Sequence, residues 1–166
     1  MKSTALLIFA TLLCGCSFVG KPQGGSTAEY LEVHGPALGW DGLSLYQTRQ
    51  SVEQALGKSL KVDPQAAPAC GQFASKLKLH GRDLVLQWSS ADETATLDSL
   101  RIVLPEAESA ESVDALTSDL QQRVPDLVVL RANRDSAILR YAANQRVVLN
   151  LHGEGNLWIT YQACLD

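Results

Sequence analysis

The sequence has a single methionine, the initiator, and only three phenylalanines; aromatic residues fill 6% of its 166 positions. It has no surplus of basic charge, with 14 Lys and Arg against 18 Asp and Glu and a formal net charge of −4. Such a balance offers no electrostatic footprint for a phosphate backbone, so nucleic acid is not an expected partner. No apolar run approaches the ~20 residues that a membrane-spanning helix needs. A G-x-S-x-G elbow, a P-loop, a dinucleotide-binding glycine fingerprint and an Asp-x-Asp-x-Asp-Gly calcium loop are all missing. These absences remove the usual signatures of hydrolases, nucleotide enzymes and calcium sites. With 46% hydrophobic and 19% charged residues, what remains has the proportions of one globular domain.

The N-terminus carries the strongest local pattern. Met1-Lys2 is followed by an apolar run over 5–13, interrupted only by Thr11, and then by Leu13-Cys14-Gly15-Cys16. The run suits a secretory signal core. Its end resembles the lipobox of bacterial lipoproteins, with Leu13 three residues before the acceptor, small Gly15 directly before it, and Cys16 as acceptor. The resemblance implies a diacylglyceryl group on the Cys16 sulfur, cleavage before Cys16, and an acyl chain such as palmitate on the new amino terminus. An ordinary signal peptide cut elsewhere is the competing reading. More than one acyl chain anchors a protein stably, whereas a single chain binds only marginally. In lipoproteins an Asp after the Cys favours inner-membrane retention; Ser17 here implies the outer membrane, facing the periplasm.

Cleavage before Cys16 leaves 151 residues, of formal charge −5 after loss of Lys2, and two unmodified cysteines, Cys70 and Cys164. In an oxidising compartment two remaining thiols most simply pair. A disulfide closing about 95 residues would stabilise by roughly 4–5 kcal/mol on the loop-entropy account. A metal pair or redox dithiol is the alternative, but Cys70 has no CxxC partner and two cysteines do not complete a zinc site.

The expected organisation is a signal peptide over 1–15, a lipidated cysteine and flexible tether over 16–39, and an α+β domain over 40–166. The tether reading rests on Gly20-Lys21-Pro22-Gln23-Gly24-Gly25-Ser26-Thr27. Within the domain, Thr48 can cap a helix whose apolar face holds Val52, Ala55 and Leu56 and which Gly57 ends. Alternation predicts a strand over 73–79, a turn at His80-Gly81, a return strand with Leu84, Leu86 and Trp88 on one face, and a third strand over 97–104. Glu106, Glu108, Glu111 and Asp114 suit the start of a second helix, whose stripe is Val113, Leu116, Leu120 and Val124. Further strands are expected near 127–131, 137–142, 146–151 and 157–163.

Leu77-Lys78-Leu79-His80-Gly81 and Leu84-Val85-Leu86-Gln87-Trp88 resemble Leu149-Asn150-Leu151-His152-Gly153 and Leu157-Trp158-Ile159-Thr160-Tyr161. Two helix-then-meander halves follow, by duplication or by coincidence of hairpin patterning. The fold class is α+β: an antiparallel sheet with two helices packed on one face.

After the lipobox, Leu43-x-Leu45-Tyr46-x-Thr48-x-x-x-Val52-x-x-x-Leu56-Gly57-Lys58 resembles the start of the BamE-type outer-membrane lipoproteins. Those share a fold with β-lactamase-inhibitor-protein-like domains. The motif covers about fifteen residues. It departs from the family at Tyr46-Gln47, where Gly-Met is usual before the Thr, and at Lys58-Ser59, where Pro is usual after Leu-Gly. The second half exceeds one BamE-sized unit and is closer to the tandem inhibitor layout. The resemblance implies non-catalytic protein binding in the envelope, as an assembly accessory or as an immunity or inhibitor protein.

No constellation for catalysis stands out, and neither a metal nor another cofactor is expected. His80 and His152 each precede a turn glycine and could form a base or ligand pair at one sheet end; a polar ring also simply suits that place. Ser89-Ser90 with Asp92 and Glu93 reads as a polar loop rather than a nucleophile. For binding, Trp158 and Thr160 share the strand face opposite Leu157, Ile159 and Tyr161. Trp158 is therefore a candidate anchor on the open side of the sheet, unless tether or loops cover it. Tyr161, Arg140, Arg146 and Trp88 complete the candidate partner-binding set, with Tyr141 nearby. A binder of a small ligand or envelope polymer, such as a lipid or peptidoglycan fragment held between sheet and helices, is the alternative function.

Overall fold

The computed structural model describes residues 25–65, 71–152 and 155–161. Cys16, Cys70, Cys164 and the signal segment lie outside the described residues, and so does the proposed disulfide. The fold begins earlier than the sequence predicts. A 3-10 turn, Thr27–Tyr30, leads into β1 (Leu31–His34), β2 (Ala37–Trp40) and β3 (Leu43–Ser44), a small antiparallel sheet. Leu31, Leu38, Trp40, Leu43 and Leu45 are each at most 1% exposed. The segment over 27–39 therefore belongs to the fold and is not tether. Gly35 and Pro36 mark the turn between β1 and β2.

Helix α1 (Arg49–Leu56) starts as Thr48 predicts: its Oγ1 accepts from Ser51 N at 3.2 Å, and Gly57 ends the helix at φ +64°. Four strands follow, β4 (Asp63–Pro64), β5 (Phe73–Leu79), β6 (Arg82–Trp88) and β7 (Leu97–Val103). The expected single acidic helix is two elements. A short α2 (Glu106–Ser109) precedes α3 (Val113–Arg123), and Ser112 Oγ caps α3 by accepting from Ala115 N at 3.2 Å. The last strands are β8 (Leu127–Ala132), β9 (Ser136–Tyr141), β10 (Val147–His152) and β11 (Asn156–Tyr161).

All eight form one antiparallel sheet in the order β4-β5-β6-β7-β11-β10-β9-β8. Each half is a helix followed by a four-strand meander, and β7 joins β11 at the centre. The α+β class and the two-half layout are thus present, but the similar stretches are not equivalent places. By sheet order β6 corresponds to β10 and β5 to β9, whereas the sequence likeness matches β5–β6 to β10–β11. The likeness is that of hairpins with apolar alternation, not of topological position.

One hydrophobic cluster fills one side of the sheet. Leu84, Leu86, Trp88, Leu100, Ile102, Leu139, Leu149, Leu151, Leu157 and Ile159 supply the sheet's share at 2% exposure or less. The cover is α3, through Val113, Leu120 and the following Val124, together with Val52 of α1 and the β1–β3 sheet. The two expected helices are there, but α1 buries only Val52, and the three-stranded sheet adds Leu31, Leu38, Trp40 and Leu43 to the same cluster. Burying such a side chain contributes about 1.5–3 kcal/mol.

A buried ion pair ties the N-terminal segment to the sheet. Arg82, with its side chain 2% exposed, donates from Nη2 to Glu108 Oε1 and to Gly25 O, from Nε to Thr27 Oγ1 at 2.8 Å, and from Nη1 to His80 O at 3.2 Å. Glu108 Oε2 in turn accepts from Thr27 N at 2.9 Å. Above this pair, the His80-Gly81 turn has φ +48° and +77°, the two-residue loop whose twist suits a hairpin. His80 Nε2 lies 2.8 Å from Asp41 Oδ2, and its ring stacks on Tyr30 at 4.5 Å. The β2–β3 and β5–β6 hairpins therefore lock together.

Candidate functional site

Because directly paired residues in an antiparallel sheet share a face, the register places the uncovered side residue by residue. One row across it is Asp63, Ala74, Gln87, Ser99, Thr160, Val148, Arg140 and Val128. The next is Lys76, Val85, Arg101, Trp158, Asn150 and Ile138. No described helix or strand covers this side.

The centre of the face is polar and buried. Ser99 and Thr160 face each other across β7 and β11 at 1% exposure, beside Val148 at 0%. The Arg101 guanidinium lies 5.4 Å from the Trp158 ring centre, a cation–π contact. Four side-chain atoms on this face are buried without a hydrogen-bond partner: Ser99 Oγ, Thr160 Oγ1, Arg101 Nε and Arg140 Nε. Buried polar groups normally find partners, and leaving one unmet costs about 1–3 kcal/mol. A fifth such atom, Thr117 Oγ1, is on α3. The ion pairs among described residues do not include Arg101 or Arg140; the face's exposed carboxylates Asp63 and Asp83 pair with Lys61 and Lys78.

Of the candidate binding residues, Trp158 and Arg140 are on this face. Trp88 is not: it is 0% exposed on the core side with Leu84 and Leu86, and its Nε1 donates to Ser75 Oγ at 3.1 Å. The same period of two that makes β6 a strand sends Trp88 inward, out of reach of a partner. Arg146 is exposed in the β9–β10 turn, at the sheet end rather than on the face. Tyr141 is 3% exposed in the core, and its hydroxyl donates to Gly35 O at 3.1 Å. Tyr161 ends β11 opposite Val147, and its side chain is outside the described residues. Sequence reading missed Ser99, Thr160 and Arg101 as a group. Polar residues alternating with Leu100, Ile102, Leu157 and Ile159 were the signal, but only the β7–β11 pairing brings them together.

His80 and His152 are at the same end of the sheet but four strand spacings apart, about 19 Å at ordinary sheet geometry. They share no site. His80 is held by Asp41 and Tyr30, whereas His152 is exposed beside a cleft of about 340 Å³ lined by Ser112, Arg134 and Asp135 among others. Ser90 Oγ donates to Asp92 Oδ2 at 3.1 Å within an exposed loop that offers it no base. Among the described residues, no group of three or more His, Cys, Asp or Glu could hold a metal, and no helix is long and apolar enough to cross a membrane. None of the clefts among the described residues is lined by Trp88 or Trp158, and the hydrophobic cluster above occupies the sheet–helix layer.

Asp98 sits at the β6–β7 register shift and accepts from Thr96 Oγ1 at 3.3 Å. Burial raises its pKa above the usual 3.8, and the Thr96 hydrogen bond opposes that only in part. A raised carboxyl destabilises the fold above its folded pKa and ceases to do so below 3.8, where both states are protonated. Asp98→Asn is therefore expected to raise the thermal midpoint at pH 7. The gain should shrink as pH falls towards 3.8, as melts across pH would show; a gain independent of pH would refute the burial account.

No family model matches the chain, and neither a curated protein nor a solved structure matches it significantly.

Proposed function

We propose that this chain is a non-catalytic, lipid-anchored envelope protein that binds another protein through the open face of its eight-stranded sheet. One observation carries the reading: a sheet face that no described helix or strand covers, whose centre holds an Arg–Trp pair and four polar atoms without partners. Interfaces favour Trp and Arg at their centres, and an orphaned polar floor is a cost that a docked surface can relieve. The Leu13-Cys14-Gly15-Cys16 motif supports the anchor, and Ser17 supports an outer-membrane location facing the periplasm. Two roles remain within this class, an outer-membrane assembly accessory and an immunity or inhibitor protein.

A photoreactive residue placed at Val85 or Ile138, in cells that make the protein, tests the reading. Both sites are partly exposed on the open face. The expected result is one envelope-protein adduct from either position in the membrane fraction, and none from a probe at exposed Lys58 on α1's C-terminal side. Equal capture from Lys58, or none from the face, would remove it.

A further inference from the structure

We infer that the partner presents a loop rich in Asp or Glu, whose carboxylates are taken by Arg101 and Arg140 above the Ser99–Thr160 floor. This rests on the reading of the open face as a protein-binding surface and specifies the chemistry of what it binds. The two Arg Nε atoms can only donate, and the Ser99 and Thr160 hydroxyls can donate or accept, so an acceptor is the one partner type that suits all four. Two of them carry a fixed positive charge, which makes an oxyanion the matching acceptor. Guanidinium pairs with carboxylate in a planar, two-bonded geometry, stronger than a neutral hydrogen bond.

The charge distribution points the same way. The chain has a net charge of −4, yet the centre of this face holds two arginines outside the described ion pairs, with Lys76 and Arg131 at its margin. The face's exposed carboxylates are already engaged by lysines. A surface kept cationic within an acidic protein steers an acidic partner and repels copies of itself.

The spacing favours a polypeptide over a single anionic headgroup. Arg101 is on β7 and Arg140 on β9, three strand spacings and one row apart, or about 16 Å, with Trp158 and Val148 between them. A loop laid across the strands reaches both cations and packs apolar side chains on the ring and the valine. Between them Ser99, Thr160 and Val148 are at 1% exposure or less.

The test uses the full-length protein with the photoreactive residue at Val85. Arg101→Gln with Arg140→Gln is expected to reduce the adduct at least tenfold, and the Lys counterparts to keep part of it. In the captured partner, the adduct should map to a segment bearing Asp or Glu. Charge reversal at both arginines should abolish capture, and Lys at the partner's acidic positions should restore it. Thermal melts of each variant exclude unfolding as the cause. Undiminished capture by the Gln variant would overturn the carboxylate assignment and leave the face itself standing. Absence of any adduct from the parent would remove both. Binding of the parent to phosphatidylglycerol vesicles that the Gln variant loses would show that the oxyanion is a lipid phosphate and overturn the protein source.

Discussion

Replacing Glu108 with alanine is expected to destabilise the protein by about 3–5 kcal/mol, the range for breaking a buried ion pair from one side. The side chains of Arg82 and Glu108 are 2% and 12% exposed, so the guanidinium left behind keeps its charge with little water to solvate it. Thr27 N loses its acceptor in the same substitution. Urea unfolding with an unchanged m-value would measure the loss as a shift in midpoint. The double variant Arg82→Met with Glu108→Leu should cost much less, because it removes both charges. By contrast, Lys61→Ala breaks the pair with Asp63, whose side chains are 86% and 55% exposed, and should be undetectable. A Glu108→Ala protein that unfolds with its parent would mean that the pair contributes nothing.

Trp40→Ala should have a comparable effect, about 3–5 kcal/mol for a buried large-to-small change. Trp40 is 0% exposed, packs at 5.1 Å from Tyr30, and donates from Nε1 to Thr27 O at 2.9 Å. Its loss opens a cavity and removes one donor from the Thr27 carbonyl. Trp40→Phe keeps most of the apolar volume and should cost less. The comparison also checks where the fold begins. Thr27 and Tyr30, Trp40's partners, come from the stretch that sequence composition reads as tether. If the two variants differ only by the change in size at position 40, that stretch is not docked.

The elements governed by local rules were legible from residue types alone. Thr48 and Gly57 bound α1 because capping and left-handed geometry act within a few residues, and β5 falls on 73–79 because its alternation is unbroken. The acidic stretch was legible only in part. Glu106 and Glu108 do fall in the first turn of α2 and Asp114 in that of α3, but Glu108 also pairs with Arg82, 26 residues away, and no local pattern records such a distance. The candidate site fared likewise. Trp158 was placed on the correct side by the period of two, and Trp88 was included although its own period turned it inward. Ser99 and Thr160 become a site only through the β7–β11 pairing, which depends on the order of strands in the finished sheet.

The grip of Arg82 on the Gly25 carbonyl also sets a height above the membrane. If Cys16 carries the acyl chains, nine peptide units separate the lipid from a point fixed at the β5–β6 end of the sheet. Even fully extended they span only about 30 Å. The domain then works on a short leash. Whatever docks on its open face must come within a domain's height of the lipid.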